Sequence, residues 1–363
     1  MGKLISKWFY GKDDTKKIYT FNALRFIFFI FIFVHHCYNN IKIPILRQPA
    51  IAVSGFIILS GFLNGYIYKG KFEKINKKEI LEFSKKRIVK FYPLHIIMFF
   101  ICISFSGVFN YTKLADFILF IKKSVCNLFL IQSWINNQSY YFSFNGVTWF
   151  LSTYLFLTLT TIPFLIFLNR INKCKYSKII HIVLSIILFC ITLALVYIVK
   201  TNKLNIEFFL YVFPLTRIPE YFIGMVFGNL IKDFNISFKL DKIIFTILEV
   251  VSFILLYFTM SRANTISGFS NLIDKRINLG IIPIIFILVV FSYQKGAISY
   301  LFKFKLLNYL GEISMYLFMI HQPLIRFVSK STGNVIHYRY FALYILVSTI
   351  LVSSIINYFR TKK

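Results

Sequence analysis

The sequence predicts an all-α, polytopic integral membrane protein with about ten transmembrane helices in one bundle. Three observations carry this. Hydrophobic residues make up 58% of the 363 residues and charged ones only 15%, against ~45–50% and ~25% in soluble domains. The mean hydropathy is +0.70. The apolar residues gather in about ten runs, each approaching the ~20 residues a helix needs to cross ~30 Å of hydrocarbon. These runs are apolar on all sides, whereas barrel strands alternate apolar and polar over ~10 residues. A soluble domain and a disordered chain are excluded, and a membrane barrel is disfavoured.

In chain order the runs fall at about 20–39, 50–68, 91–109, 147–168, 179–199, 206–231, 243–260, 278–294, 307–325 and 340–358. Segment 112–133 is apolar but carries Lys113, Asp116, Lys122 and Lys123, and reads as an interfacial or re-entrant helix. The first 20 residues are polar and basic. No small-residue cleavage site follows the first apolar run, so that run reads as a retained helix rather than a signal peptide. No long soluble domain, low-complexity linker or internal repeat is visible.

An even number of spans puts both termini on one side. With the termini inside, the inside segments hold 27 Lys and Arg and the outside segments 13, while Arg25 and Arg217 lie within spans. The positive-inside rule then places both termini, including the basic stretch 1–19, in the cytoplasm, with the chain crossing the inner (plasma) membrane many times. The net charge is +29. On a soluble protein that surplus points to nucleic acid. Here it fills short loops that meet anionic lipid headgroups, so membrane lipid is the expected partner and nucleic acid is not. The five cysteines show no CxxC or Cys/His spacing and read as reduced packing residues. No metal is expected.

Charged side chains inside a membrane cost about 2.5–3.5 kcal/mol each at mid-bilayer and mark functional candidates. The first run, TFNALRFIFFIFIFVHHCYN, carries Arg25, His35 and His36. Eleven residues separate Arg25 from His36, about 20° beyond three turns, so both share one face roughly 16 Å apart along the axis. His35 is turned about 80° from that face. A polar pathway through the bundle is one reading. The other is a snorkelling arginine and an interfacial histidine pair. In KKRIVKFYPLH, Arg87 and Lys90 stand three apart before Pro93. They suit either a phosphorylated ligand at the membrane mouth or simple retention of a loop on the cytoplasmic side. His321 precedes Pro323 in the ninth run, on the same side as His36 by alternation. In RIPEYFIGMVFG, Arg217 and Glu220 can pair, and Gly224 and Gly228 form a GxxxG that permits close helix approach. This last element serves structural glue as well as function.

Taken in order, these pieces resemble the bacterial acyltransferase family 3, integral membrane enzymes that O-acylate cell-surface polysaccharides. Arg25 and His36 resemble the family's R-x10-H. Ser60, Gly61 and Phe62 resemble its second-helix signature. KKRIVKFYP resembles its R-x-x-R element, with Lys90 where Arg is usual. Trp149, Phe150, Leu151 and Ser152 resemble its WfLs element. RIPEYFIGMVFG resembles R-x-x-E-F-x-x-G, with Tyr221 for Phe. GEISMYLFMIHQP resembles the His321-bearing element. Three departures stand out: Tyr154 where many members carry Glu, and Met315 and Phe318 at two Tyr positions.

The resemblance implies a single membrane acyltransferase-like domain over 1–363, with no fused soluble domain expected. It implies transfer of an acyl group, commonly acetyl from acetyl-CoA as co-substrate, to a hydroxyl of a cell-surface polysaccharide or its lipid-linked precursor. His36 and Arg25 would be catalytic, Arg87 and Lys90 would bind the donor, and Trp149, Ser152, Arg217, Glu220 and His321 would support the site. A hydroxyl needs a base before it attacks, and histidine is the usual one near neutral pH. His36 acting as that base and His36 first carrying the acyl group are both compatible with the sequence. The competing reading is a transporter or flippase for a polysaccharide-related substrate, which an inverted repeat would favour. A third is a structural component of a polysaccharide-synthesis complex, to which Tyr154 would point.

Overall fold

The computed structural model describes residues 18–37, 48–104, 113–234, 240–331 and 338–362. Helix accounts for 81% of it, and no strand occurs among the described residues, so the expected all-α class is borne out. The helices are α1 (Thr20–His36), α2 (Pro49–Ile67), α3 (Lys77–Ile88), α4 (Tyr92–Ile103), α5 (Leu114–Leu128), α6 (Gln138–Tyr141), α7 (Trp149–Asn172), α8 (Ser177–Thr201), α9 (Ile218–Ile231), α10 (Asp241–Phe269), α11 (Ile281–Ser292), α12 (Ala297–Phe302), α13 (Lys305–Glu312), α14 (Ser314–Ser331) and α15 (Tyr338–Thr361). The basic stretch 1–19 lies outside the described residues, apart from Ile18 and Tyr19.

Among the described residues, five helices are long and apolar enough to cross a membrane: those within Pro49–Tyr68, Gly146–Asn172, Ser177–Thr201, Asp241–Phe269 and Tyr340–Arg360. The expected ten continuous spans are therefore not all continuous helices. Helices α1, α4 and α11 are apolar but shorter. The run 206–231 breaks into a π turn (Phe208–Val212), a 3-10 turn (Pro214–Arg217) and α9. Pro214 and Pro219 explain the break, because neither has an N–H to donate to the preceding turn. The run 307–325 breaks at Ile313, between α13 and α14.

Helix α2 is central, and most of its residues are buried. Its tightest partner is α9, and glycines set that distance. A Cβ on Gly61 or Gly65 would overlap the carbonyl oxygens of Tyr221 and Met225. One on Gly224 or Gly228 would overlap those of Ile58 and Phe62. Two GxxxG faces thus interlock, so Gly61 of the second-helix signature and the GxxxG at 224–228 are both packing features. In contrast, α8, α10 and α15 turn large apolar side chains such as Ile186, Ile254 and Leu351 outward, where lipid would cover them. Helix α5 exposes Leu114, Phe117, Ile118 and Ile121 while burying Ser124 and Asn127, as an amphipathic helix at an apolar boundary does.

Two connections are built rather than loose. The segment before α7 is tied by Gln132 Nε2 donating to Thr148 O (3.2 Å), Ser133 Oγ to Trp149 O (2.8 Å) and Asn145 Nδ2 to Met319 O (2.8 Å). The segment after α10 is held by Lys200, whose Nζ donates to the carbonyls of Ser267, Ser270 and Ile273 at 2.7, 2.7 and 2.9 Å. Lys200 thereby satisfies carbonyls that the end of α10 leaves open.

Candidate active site

Helix α1 links two cavities. One, about 540 Å³, lies at its C-terminal end and is lined by His35, His36 and Trp149 together with residues from α14 and the segment after α10. The other, about 270 Å³, lies nearer its N-terminal end and is lined by Arg25, Ser60, Lys86, Arg87, Lys90 and Tyr154, among others. They are called here the histidine and arginine cavities. The shared face inferred for Arg25 and His36 therefore connects two distinct chambers.

Phenylalanine rings stand between the two. Phe56 and Phe150 line the arginine cavity and Phe318 the histidine cavity. Phe150 meets Phe318 at 5.5 Å between ring centroids, and Phe56 meets them at 6.3 and 6.4 Å. Phe318 is one of the departures from the family's tyrosines. Here it is part of an apolar septum.

In the histidine cavity the His36 ring lies 5.1 Å from His321 and 5.2 Å from His35. His321 is fully buried, with Phe29 and Phe33 packed edge-on against it at 5.7 and 6.3 Å. Its Nδ1 is 3.2 Å from Leu317 O. A proton on Nδ1 makes that hydrogen bond and leaves Nε2 as the acceptor. Nε2 meets no partner among the described residues. Helical phase turns His35 away from the Arg25 stripe, yet it also lines the cavity. The reason is local: α1 ends at His36, and the cavity wraps around the helix end rather than along one face.

In the arginine cavity Arg87 is held on several sides. Its Nη2 donates to Asn64 Oδ1 (2.8 Å) and its Nη1 to Phe83 O (3.3 Å). Its guanidinium lies 3.4 Å from the Phe83 ring centroid, a cation–π geometry. Asn64 Nδ2 donates in turn to the Tyr221 hydroxyl (2.7 Å), which is 2.7 Å from Thr161 Oγ1. Tyr221, the departure from Phe in its element, thus anchors a chain that ends on Arg87. Arg25 donates to Asn22 Oδ1 at 3.2 Å. Burial, with Arg360 and Arg25 nearby, pushes the Lys90 ammonium below the ordinary lysine range. Tyr154, where many family members carry Glu, sits on the same wall beside Arg87.

Not every candidate lines a cavity. Arg217 and Glu220 are fully buried and form an ion pair at 2.6 Å. Arg217 also donates to Leu210 O (3.1 Å), to Ser54 Oγ (3.1 Å) and to Arg276 O. That pair ties the break before α9 to α2 and to the segment after α10. Ser152 is buried on α7, its hydroxyl without a partner among the described residues, and it lines neither cavity. Sequence reasoning missed Lys86 and Glu312 in one cavity, where it had named Tyr154 only as a departure, and Glu207, Tyr211, Lys275, Arg276, Gln322 and Arg326 in the other. Gln322 adjoins His321 and Arg326 follows one turn later, so α14 held a signal. Lys275 and Arg276 sit in a segment read as a plain loop, and Glu207 stands at the start of the run 206–231, where no role was read for it.

Among the described residues no group of three or more His, Cys, Asp or Glu is placed to hold a metal. The family model described as an acyltransferase domain matches residues 18–358. The chain belongs to this family, acyltransferase family 3, and is a membrane acyltransferase. Comparisons with curated proteins and with solved structures give no match.

Proposed function

We propose that this protein transfers an acyl group, acetyl in the simplest case, from acyl-CoA in the arginine cavity to a hydroxyl of a cell-surface polysaccharide or its lipid-linked precursor in the histidine cavity. The observation that carries this is the separation of roles along α1. A cluster of cations, Arg25, Lys86, Arg87 and Lys90, lines one chamber with Glu312 as its counter-charge. A histidine pair lines the other. CoA is rich in phosphate, and charge-assisted contacts from arginine and lysine are the strong way to hold phosphate.

His36 is the catalytic base in this reading. It takes the proton as the acceptor hydroxyl attacks the thioester carbonyl. The C–O ester bond forms, the C–S bond breaks, and the proton passes to the leaving CoA thiolate. His321 supports His36 by its ring contact. The acyl end of the donor must pass the Phe56, Phe150 and Phe318 septum to reach His36, so the septum keeps water from the thioester until the donor is seated.

Deletion of the gene followed by mass analysis of surface polysaccharide tests the proposal. A lost acyl mass, restored by the wild-type gene, is expected. A polysaccharide identical in both strains sinks it. Restoration with His36→Ala should fail, by about 10²–10⁴-fold in rate, while the variant still accumulates in the membrane. His35→Ala should retain much of the activity, because its ring stands off the line from Arg25 to His36. A dead His35→Ala beside a working His36→Ala would transfer the role to His35.

A further inference from the structure

The positive charge of the arginine cavity continues beyond its walls. Arg360 stands in the last turn of α15, exposed and outside the cavity lining. An arginine so placed ordinarily answers the open carbonyls of its own helix end. This one reaches across to α14, where its Nη1 donates to the Tyr316 hydroxyl. Tyr316 is buried, and its ring meets Phe91 edge-on at 5.9 Å between centroids. Phe91 lines the cavity, as do Ser314 and Met315 just before Tyr316. The Lys90 Nζ lies 5.3 Å from the same Phe91 ring. Arg360 is thereby fixed at the rim, with Tyr316 and Phe91 between it and the chamber.

The electrostatics agree. After burial, Arg360 is the largest influence holding the Lys90 ammonium down, ahead of Arg25, with Glu312 acting the other way. Cations gathered this closely repel unless an anion joins them. The tie to Tyr316 does not use up the guanidinium, whose planar fork carries five donors. The family model ends at residue 358 and gives Arg360 no part.

The shape of the donor says which anion this is. CoA carries a diphosphate between its pantetheine arm and its nucleotide, and a separate phosphate monoester at the ribose 3′ position. The thioester has to pass inward, beyond the phenylalanine septum, so the arm lies along the cavity and the nucleotide stays at its mouth. The diphosphate then falls among Arg25, Arg87 and Lys90. The monoester falls further out, and at about −1.5 to −2 charges near neutral pH it rewards an arginine strongly.

Building on the acyl-CoA donor proposed above, we infer that Arg360 binds the ribose 3′-phosphate at the rim of the arginine cavity, while Arg87 and Lys90 hold the diphosphate inside it. The last helix thereby selects acyl-CoA over acyl donors that share the pantetheine arm but lack that phosphate.

Pairing donor with variant tests this. Membranes are titrated with acetyl-CoA and with acetyl-3′-dephospho-CoA, and acetyl incorporation into glycan purified from the deletion strain is measured. Wild type should need roughly ten- to a hundredfold more of the dephospho donor. Arg360→Gln should need more acetyl-CoA by about that factor, yet no more of the dephospho donor than wild type. Arg360→Lys should recover part of the loss, as a point charge without the fork. Arg87→Ala, inside the cavity, should raise both requirements and keep the gap between the donors.

A merely structural Arg360 behaves differently, because Arg360→Gln would then raise both requirements together, and that result overturns the inference. Should Arg360→Gln fail to accumulate, Arg360→Lys is read in its place: a narrowed donor gap supports the inference and an unchanged gap overturns it. A gap that closes in Arg87→Ala instead puts the 3′-phosphate inside the cavity and overturns it too. Wild type that takes both donors alike overturns it and leaves acyl transfer from CoA standing. No acetyl incorporation from either donor removes the donor reading and this inference together.

Discussion

Arg87 is the side chain whose surroundings say most about its use. Asn64, Phe83 and the Tyr221 hydroxyl behind Asn64 hold its guanidinium in one orientation. Such preorganisation lowers the entropy a ligand must remove on binding. If Arg87 and Lys90 hold CoA phosphates, replacing both by Ala should raise the acyl-CoA requirement of membrane preparations by roughly ten- to a hundredfold per lost contact, with membrane levels unchanged. Tyr221→Phe removes only the anchor behind Asn64. It should raise the same requirement by roughly fivefold, about one hydrogen bond's worth. Titration of acetyl-CoA reads both, and a flat response in the double variant would reduce the cluster to a topology signal. Arg87 and Lys90 were legible in the sequence as a basic pair. Tyr221 was legible only as a departure, because its partner Asn64 is 157 residues away.

At the scale of elements, the contact between α2 and α9 depends on four glycines. A side chain at Gly224 meets the Ile58 carbonyl and one at Gly61 meets the Tyr221 carbonyl. Neither backbone can yield without moving a whole helix. The shift would also carry Asn64 and Tyr221 apart and so release Arg87. Gly224→Leu should therefore lower accumulation in the membrane, with a cost on the order of the 1–3 kcal/mol typical of overpacking or more. Gly268→Ala, on α10 with no neighbour near its Cβ, should be tolerated. Immunoblots of membrane fractions after a translation block distinguish the two. Equal persistence of Gly224→Leu and wild type would show that α2 and α9 need not touch. The sequence announced Gly61 within a family signature and Gly224 with Gly228 as a GxxxG, but not Gly65. It did not announce that they face each other.

For the whole molecule, the charge count and the two cavities make one statement about orientation. The basic segment 69–90 feeds the arginine cavity through Lys86, Arg87 and Lys90, and it is the most heavily charged of the segments read as cytoplasmic. The segment before α7, which carries Asn137, adjoins the histidine cavity through Phe142, Gly146 and Val147. Reporter fusions at Lys78 and Lys173 should read cytoplasmic and one at Asn137 external. A cytoplasmic Asn137 would invert the scheme and put the histidine cavity on the side where acyl-CoA is made. The five long apolar helices set the membrane frame. The shorter and broken ones lie where polar groups gather, since irregular backbone at membrane depth is tolerated where it is buried in protein or lines a cavity.

By itself the sequence determined the all-α membrane class, the family, and the pairing of Arg25 with His36 across one helix. Those follow from composition, from local spacing and from motifs, each read within about twenty neighbouring residues. Tertiary structure alone decided which distant residues share a wall. It set His36 against His321, brought Lys275, Arg276 and Arg326 around one chamber, put three phenylalanines between two cavities, and turned Arg217 and Glu220 into a buried tie. Helical periodicity states which side of a helix a residue occupies. Which other helix lies against that side depends on packing between segments hundreds of residues apart, where the hydrophobic pattern is the same on every face.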